Sequence, residues 1–415
     1  MEKNTFKAFG EFEHQESVLM MWPLTPFATK TNEFNREQVA IDIVKALMGN
    51  VKIIISCYDE KMKERAIKLI KAENINVCEI LFVVYPCEII YPRDHGAEIM
   101  VDGHGNKRVI SFDSSTYAMF GKGDAISRNL EAYAKFHSEQ LGITEIIHSQ
   151  LTSEGGDREF NGNGVMMTIE ETEVNKRNPG WSKKDVEDEF KRIFNMEKVI
   201  WIKHGTYSDE HMYLGPIPDE HGLLNAYRSA SANGHIDEMA RFVSEDTIIL
   251  AEITREEADK SYLFNINKQQ LDAAYSILKD EKTLGCIPFK ILRMPTPEPI
   301  YIDIDKGDDI FECFISASET YGGKMLDGSP FPSGKMKVLP SLSYCNFLIT
   351  NNVVLAQKYY REGMSKTVKE KDEMASEILK QAFPDRRVIA IDSLPLNLYG
   401  GGIHCNTRHA PSGNC

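Results

Sequence analysis

The sequence predicts an α/β fold in which five similar units close into a ring. Three observations predict it: five segments have helical periodicity, a short apolar run follows each helix, and a pair of alternating runs around a tight turn precedes four of them. The order within a unit is then strand, strand, helix, strand (ββαβ). The fifth helix follows a single apolar run, so its missing strand is expected from the other end of the chain.

The helices are predicted where apolar residues recur at helical spacing and the opposite face is polar. Their expected ranges are 35–48, 124–139, 182–194, 267–280 and 366–382. The strands that follow them are VKIIIS (51–56), ITEIIH (143–148), KVIWI (198–202), PFKILR (288–293) and RVIAID (387–392).

The hairpins that open the units are predicted from alternating runs around Gly, Asn and Asp turns. They span 97–112, 158–169, 239–253 and 345–357. In the fifth unit SVLMMWP (17–23) is expected to pair with GIHCNTRH (402–409). The units are too unevenly spaced for a solenoid of equal repeats, and a closed ring needs no capping repeat. We therefore expect one domain over 1–415. A generic α/β sheet or two unrelated α+β domains would fit the same elements.

Composition narrows the class of protein. The chain has 415 residues and a formal charge of −14, which argues against a nucleic-acid binder because such proteins cluster Lys and Arg. No apolar run is long enough to span a membrane, and the N-terminus lacks a signal-peptide pattern, so we expect a cytoplasmic protein without membrane contact. The eight cysteines show no zinc-type spacing and are expected to be free thiols.

Polar clusters recur at the same place in the units, just before or within the first strand. Four of them are YPRDHG (91–96), SEGGDRE (153–159), NGHIDEMARF (233–242) and YGGGIHCNT (399–407). The fourth unit offers only SLSYCNF (341–347). Equivalent positions in a ring face one axis, so the clusters should converge there. Strand alternation would turn His404 away from Cys405, so His404 is expected to pack or to support the site.

Convergence would join a thiol, an imidazole and several carboxylates, which we list as Asp94, Glu154, Asp157, His235, Asp237 and Cys405. Cysteine attacks as the thiolate, and a histidine can carry the proton transfers. Carboxylates raise the pKa of a nearby thiol, so this arrangement makes sense for a substrate with a fixed positive charge. Guanidinium is such a group, and carboxylates bind its donors in pairs.

Simpler interpretations stand beside this one. Asp157 is explained equally well by an ion pair with Arg158, and we leave it outside the predicted site. A metal site would need a third ligand at a characteristic spacing, which the sequence does not show, so neither metal nor cofactor is expected. The glycine runs match no phosphate-binding or dinucleotide motif, and turn chemistry explains them better.

At these residues the chain resembles the guanidino-modifying, or pentein, superfamily, and within it the agmatine deiminase and bacterial-type peptidylarginine deiminase family. The resemblance covers nearly the whole chain and rests on several motifs in order. They are FEHQESVLMMWP, PRDHG, EGGDREFNGNGVMMTIEETEVNKRNPG, GHIDEMARFV and YGGGIHCNTRHAP.

The resemblance implies a five-bladed, pseudosymmetric α/β propeller. It implies Cys405 as the nucleophile, His235 as the general acid and base and Glu154 as the partner of His235. Asp94 and Asp237 would bind the guanidinium of a small cationic substrate. It further implies hydrolysis of the guanidino group through a covalent thiouronium intermediate, without metal or cofactor, in a homodimer.

Departures from the family pattern leave the substrate open. His95-Gly96 stands where agmatine deiminases usually have Gly-Pro, and Glu238 stands where they commonly have Asn. Agmatine is the first candidate and free or peptidyl arginine the second. Amidino transfer and non-catalytic guanidinium binding are less favoured. An arginine substrate would need a carboxylate partner, available candidates being Arg158, Arg228, Arg241 and Arg293. Segments 205–232 and 294–344 have no assigned role.

Overall fold

Five sheets of the computed structural model, which describes residues 6–413, share one arrangement: two antiparallel strands, then a third strand parallel to the second. The first sheet contains Glu98–Val101, Lys107–Asp113 and Ile146–Thr152, and the second contains Glu159–Phe160, Val165–Ile169 and Lys198–Ile202. The third contains Ala240–Ser244, Thr247–Glu252 and Lys290–Pro295, and the fourth contains Leu348–Ile349, Val353–Lys358 and Arg387–Asp392. The fifth contains Thr407–Pro411, Gln15–Met21 and Lys52–Cys57. All four predicted hairpins are confirmed.

One helix joins the second and third strands of each sheet. The five are Arg36–Leu47, Ala125–Gln140, Lys183–Phe194, Tyr262–Leu278 and Lys366–Ala382. Each begins after a side chain that accepts hydrogen bonds from the first turn, such as Ser182, which forms a full capping box with Asp185. The five predicted helices are confirmed, the 267–280 helix starting five residues earlier than expected.

The two ends of the chain meet in one sheet. Thr407–Pro411 pairs antiparallel with Gln15–Met21, with Arg408 opposite Leu19. This confirms the predicted pairing of the chain ends. The C-terminal strand begins later than expected, because residues 403–406 form a turn in which the N–H of Asn406 donates to the carbonyl of Gly402 and that of Thr407 donates to the carbonyl of His404.

The two long segments of unassigned role fold together. A sixth sheet combines Ile217–Pro218, Leu224–Arg228, Lys335–Leu339 and Ile302–Asp305. The helix Asp309–Ser316 follows its last-named strand in sequence. Segments 205–232 and 294–344 therefore form one insertion, although a complete ββαβ unit separates them along the chain.

The remaining elements are short additions. Lys7–Ala8 extends the first sheet, and the helix Glu60–Ala72 with the strand Ile80–Val84 extends the last. Short helical segments are Val77–Glu79, Pro92–His95, Gly155–Asp157, Glu171–Lys176, Tyr207–Asp209, Ile236–Glu238, Arg255–Ala258 and Leu394–Asn397. Among the residues described, no helix has the length and apolar character needed to cross a membrane.

The core lies between the sheets and their helices. Ile53, Ile54 and Ile55 of a central strand are at most 1% exposed, and Ile43 and Val44 pack against that sheet from the helix Arg36–Leu47. Burial of this kind stabilises by about 25 cal/mol per Å² of apolar surface. This packing fixes the positions of the strands next to which the polar clusters lie.

Candidate active site

The structure brings the five predicted site residues together. Asp94, Glu154, His235, Asp237 and Cys405 are each at most 8% exposed. Four of them lie on or next to short helical turns that precede a first strand, and Cys405 lies on the loop that precedes Thr407–Pro411. The turns place one or two polar groups from each unit around a common centre. The roles of these residues stay a prediction.

The thiol of Cys405 lies among hydrogen-bonding and acidic groups. Asn346 Nδ2 donates to its Sγ at 3.0 Å, and the Cys405 N–H donates to Asn346 Oδ1 at 3.3 Å. Sγ is 3.8 Å from Asp237 Oδ2 and 3.9 Å from Glu238 Oε1. Burial and these two carboxylates raise the pKa of the Cys405 thiol well above its ordinary value, so the thiol of the free protein is protonated at neutral pH.

His235 lies between two carboxylates. Its Nε2 is 3.4 Å from Glu154 Oε2 and its Nδ1 is 3.6 Å from Asp94 Oδ1. Burial by itself would lower the pKa of His235, but the charge of Asp94 and the hydrogen bond to Glu154 outweigh it and raise the pKa to about 10. The imidazole is therefore a cation at neutral pH and can donate a proton.

Arg177 holds Glu154 in place. Its Nε donates to Glu154 Oε2 at 2.6 Å, and its Nη2 donates to the carbonyl of Ala232 at 2.7 Å. Burial would raise the pKa of Glu154, but Arg177 and His235 lower it to about 2. Glu154 is thus ionised and fixed beside the imidazole.

Asp94 has a hydrogen-bond donor on each oxygen. Tyr117 Oη donates to Oδ2 at 2.8 Å, and the Gly156 N–H donates to Oδ1 at 2.9 Å. Burial nevertheless raises the pKa of Asp94 above its ordinary value. A cation bound beside Asp94 would favour its ionised form.

Asp237 is held by His404, whose position differs from the expected one. Residue 404 precedes the strand, so strand alternation does not apply, and its Nδ1 lies 2.6 Å from Asp237 Oδ2. Its Nε2 lies 2.7 Å from Oε2 of the buried Glu11. Burial would raise the pKa of Asp237, but His404 outweighs this and lowers it. Oδ1 of Asp237 is buried without a hydrogen bond, which leaves it ready to accept one from a ligand.

Gly156 leaves the space in which these groups meet. A Cβ on residue 156 would lie 2.6 Å from His235 Nδ1, 2.8 Å from Asp94 Oδ1 and 3.1 Å from Asp237 Oδ2. All three distances are below or near the limit of contact between such atoms. A side chain here would therefore fill the space between the imidazole and both carboxylates.

Asp157 and Asp209 hold the backbone that carries His235. Asp157 Oδ1 accepts from the Ile236 N–H at 2.9 Å. Asp209 Oδ2 accepts from the N–H groups of Gly234 and His235 at 3.0 and 2.8 Å. Asp157 therefore faces the backbone rather than the centre of the cluster, and the ion pair considered for it is wrong, because Arg158 pairs with Glu98.

Three donor atoms of the cluster are close enough to share a metal ion. Cys405 Sγ and carboxylate oxygens of Asp237 and Glu238 lie within 4.8 Å of one another. Glu238 supplies the third ligand that spacing along the sequence did not reveal. The same three side chains already share one donor, Asn346 Nδ2, at 3.0 to 3.2 Å. Their contacts are therefore explained without a metal.

A cavity of about 430 Å³ opens from the cluster. Asp94, Gly401 and Cys405 contribute to its wall at the cluster. Other wall residues come from the insertion, so this long segment supplies part of the pocket wall. They are Met212, Tyr213, Ala230, Ser231, Ala232, Asp309, Cys313, Ser316, Ala317 and Thr320.

The arginines considered for a substrate carboxylate do not line this cavity. Arg158 pairs with Glu98, Arg241 with Glu159 and Arg293 with Glu252, while Arg228 donates to the carbonyls of Tyr207 and Gly215. The arginine on the cavity wall is Arg36. Tyr91 also lines it, whereas Trp22 is buried and donates to Glu37 at 3.1 Å.

Sequence reasoning did not single out Asn346 or Arg177 as site residues. Asn346 stands in SLSYCNF, at the position equivalent to the other clusters, which could have identified it. Arg177 stands inside the motif EGGDREFNGNGVMMTIEETEVNKRNPG but outside the recurring clusters, so the repeat did not indicate it. His404 was expected to pack or to support the site, and it supports Asp237 from a turn rather than from a strand.

A thiol, an imidazole and carboxylates at the ends of repeated α/β units define the guanidino-modifying class of proteins that the motifs resemble. Within that class, the model of the Porphyromonas-type peptidyl-arginine deiminase family matches residues 7–213 and 220–411. The chain belongs to this family.

Relatives align over nearly the whole chain. An agmatine deiminase of Pseudomonas aeruginosa is 24% identical over 419 residues, which cover 98% of this chain and 96% of the relative. The solved agmatine deiminase of Enterococcus faecalis superimposes with a TM-score of 0.75 at 21% identity, covering 99% of this chain and 97% of the other. That of C. jejuni superimposes with a TM-score of 0.67 at 20% identity, with coverage of 99% and 97%. The α/β fold is therefore shared with solved agmatine deiminases.

Proposed function

We propose that this protein is a cysteine-dependent deiminase that hydrolyses agmatine, or a similar small guanidino compound, to the ureido compound and ammonia. One observation carries the proposal: Cys405 Sγ shares a buried centre with an imidazolium and the carboxylates of Asp94 and Asp237, at the end of an open cavity. Relatives named as agmatine deiminases over the full length support agmatine.

Asp94 and Asp237 would bind the guanidinium. They face each other across Gly156, and the unpaired Oδ1 of Asp237 offers a free acceptor. A guanidinium is planar and carries donors on both edges, so two carboxylates can grip it with charge-assisted hydrogen bonds. This fixes the central carbon next to Cys405 Sγ.

Substrate binding would activate the thiol. Asp237 and Asp94, which with Glu238 raise the pKa of Cys405 in the free protein, are the groups that the guanidinium neutralises. A cation beside Sγ favours the thiolate by the same electrostatic rule that the carboxylates oppose. The thiol proton is then lost to solvent, and the nucleophile forms only when substrate is present.

In the first half-reaction the thiolate forms a C–S bond with the guanidinium carbon. The resulting tetrahedral adduct is neutral. His235, protonated at neutral pH, donates a proton to one amino group, and the C–N bond breaks to release ammonia. The enzyme then holds a positively charged thiouronium, and His235 is neutral. Glu154 keeps the imidazole oriented throughout.

In the second half-reaction the neutral His235 takes a proton from water while the oxygen bonds to the thiouronium carbon. The C–S bond then breaks, the electron pair returns to sulfur, and the carbonyl of the ureido product forms. The proton released is taken up by ammonia, so the positive charge of the substrate leaves as ammonium. Substituting an amine for water would give amidino transfer instead.

We also propose that the five similar sheets form one five-bladed propeller domain over 1–415 that works as a cytoplasmic homodimer. Five sheets of one pattern and the pairing of the chain ends support the ring. The seven described cysteines are all free, which suits a reducing compartment. Light scattering would test the dimer, which a monomer at micromolar concentration would contradict.

An ammonia-release screen tests the function. Agmatine, arginine, blocked arginine and an arginyl peptide are compared, and product mass distinguishes a ureido compound from a new guanidine. Cys405→Ala is expected to abolish turnover, whereas Cys57→Ala, which removes a buried thiol far from the cluster, serves as the matched control. Undiminished ammonia release by Cys405→Ala would refute the mechanism. Loss of activity with a chelator, restored by a metal ion, would instead favour a metal at Asp237, Glu238 and Cys405.

A further inference from the structure

The cavity next to the cluster is larger and more apolar than agmatine requires. Its volume of about 430 Å³ lies in the range of pockets that hold drug-sized ligands, whereas agmatine is a guanidine on a four-carbon amine. Much of the wall is apolar, including Leu24, Ile89, Met119, Phe120 and Ile126. A terminal ammonium among such side chains loses its hydration without compensation.

Arg36 sets the charge at one side of this cavity. It is 2% exposed, its guanidinium stacks on the Tyr399 ring at 3.6 Å, and its Nη2 contacts Thr25 Oγ1. Its Nε is buried without a hydrogen-bonding partner. Arg36 is also the first residue of the helix Arg36–Leu47, where the helix dipole favours an acceptor or an anion. Both features favour an oxygen ligand over a second cation.

Besides Asp94 at the cluster, two carboxylates on the wall could oppose this preference, and neither is well placed to do so. Asp309 accepts from Thr25 Oγ1 at 2.6 Å and lies 3.6 Å from Arg36 Nη2, so it is already engaged. Glu88 is exposed to solvent, where an ion pair contributes little. An ammonium carried by the substrate would gain less from them than it loses beside Arg36.

We propose that the cavity selects guanidines whose far end is an amide or other carbonyl followed by an apolar group, of which N-acylated agmatines are the simplest example. The carbonyl oxygen would accept from Arg36, and the acyl chain would occupy the apolar part of the cavity. This rests on the proposed deiminase function and narrows its substrate class. Agmatine itself would be deiminated less efficiently than its acyl derivatives.

A substrate series on the wild-type enzyme tests the proposal. The probes are agmatine, butylguanidine, N-acetylagmatine and N-hexanoylagmatine, and kcat/KM is measured for each by ammonia release. Each buried methylene favours binding roughly fourfold. We therefore expect N-hexanoylagmatine to exceed N-acetylagmatine by at least about tenfold, and N-acetylagmatine to exceed butylguanidine. Agmatine equal to or better than the acylated compounds would overturn the proposal.

Two variants separate the effect of Arg36 on substrate preference from that of Asp309. Arg36→Gln is expected to remove the preference for N-acetylagmatine over butylguanidine, and an unchanged preference would overturn the role of Arg36. Asp309→Asn is the matched control, because it changes the other member of the ion pair between Arg36 and Asp309. If it lowers kcat/KM for agmatine tenfold while that for butylguanidine is kept, Asp309 binds the ammonium and the proposal fails. If Arg36→Gln does not fold, the wild-type series still decides. Failure of every guanidine to release ammonia would refute the deiminase function itself.

Discussion

Replacing His404 by Phe tests whether the imidazole that precedes Cys405 in sequence keeps Asp237 ionised. His404 bridges two buried carboxylates, with 2.6 Å from Nδ1 to Asp237 and 2.7 Å from Nε2 to Glu11. Ionised carboxylates only accept hydrogen bonds, so a ring nitrogen that contacts one of them must donate. Phe keeps the ring and removes both donors.

The size of the expected loss follows from the contacts that Asp237 and Glu11 keep without His404. A charge-assisted hydrogen bond contributes ~1.5–3 kcal/mol, and removing one partner of a buried ion pair costs ~3–5 kcal/mol. Glu11 keeps two arginines, Arg93 at 2.9 Å and Arg241 at 3.2 Å. Asp237 keeps two uncharged donors, Asn346 Nδ2 at 3.2 Å and the Cys405 thiol at 3.8 Å. We therefore expect the loss to fall mainly on Asp237, as a fall of kcat/KM by at least about tenfold at pH 7.

The dependence of kcat/KM on pH distinguishes protonation of Asp237 from a general loss of structure. His404 lowers the pKa of Asp237, so without it burial dominates and the pKa rises. The acidic limb of kcat/KM, where Asp237 becomes protonated, must then move to higher pH, and activity should partly recover on going from pH 7 to 9. His409→Phe is the control: its ring lies 3.4 Å from Glu11, and burial lowers the pKa of His409 to about 4, so the ring is neutral. An unchanged acidic limb in His404→Phe would refute the reasoning.

Three further predictions follow from the same geometry. Gly156→Ala places a Cβ within 2.8 Å of His235 and Asp94, so we expect at least a ~100-fold loss of kcat/KM together with a lower Tm; retained activity would show that the site lies elsewhere. Arg177→Met leaves Glu154 buried with His235 as its remaining charged partner and should reduce the free energy of unfolding by ~3–5 kcal/mol, while Arg177→Lys, measured by urea denaturation, should lose less. Because the pKa of His235 is raised from 6.5 to about 10, its stabilising contribution is complete below pH 6.5 and lost as pH rises through about 10. Because the pKa of Glu154 is lowered from 4.5 to about 2, its contribution is complete above pH 4.5 and lost as pH falls to about 2. Urea midpoints across pH check both slopes, and His235→Gln should flatten the alkaline one.

Local patterns predicted most of the fold. The helix Lys183–Phe194 begins at Ser182 with a capping box, and its buried face repeats at Val186, Phe190 and Ile193. Such signals lie within a few neighbouring residues and can be read without knowing the partner element. The sixth sheet could not be read in this way. Its parallel pair joins Ala226 to Lys337, and neither segment shows which distant strand it will meet.

Some residues of the candidate site could likewise be predicted from the sequence, and others could not. Asp94, Glu154, His235, Asp237 and Cys405 stand in clusters at equivalent places in the units, so the repeat itself indicates their convergence. The orientation of His404 could not be predicted by strand alternation, because residues 403–406 form a turn and the strand begins only at Thr407. Arg177 acts only through Glu154, and nothing near it in sequence indicates that contact.

The insertion and the repeated units supply different residues to the wall of one cavity. Cys405 and Asp94 come from turns that precede the first strands of two units, whereas Asp309, Cys313 and Ala317 reach the cavity from the insertion. Substitutions on the helix Asp309–Ser316 are therefore expected to reshape the cavity without moving the thiol of Cys405 or the imidazole of His235. Under the proposed function, substrate selection could change through this peripheral segment while the residues proposed to break the C–N bond stay the same.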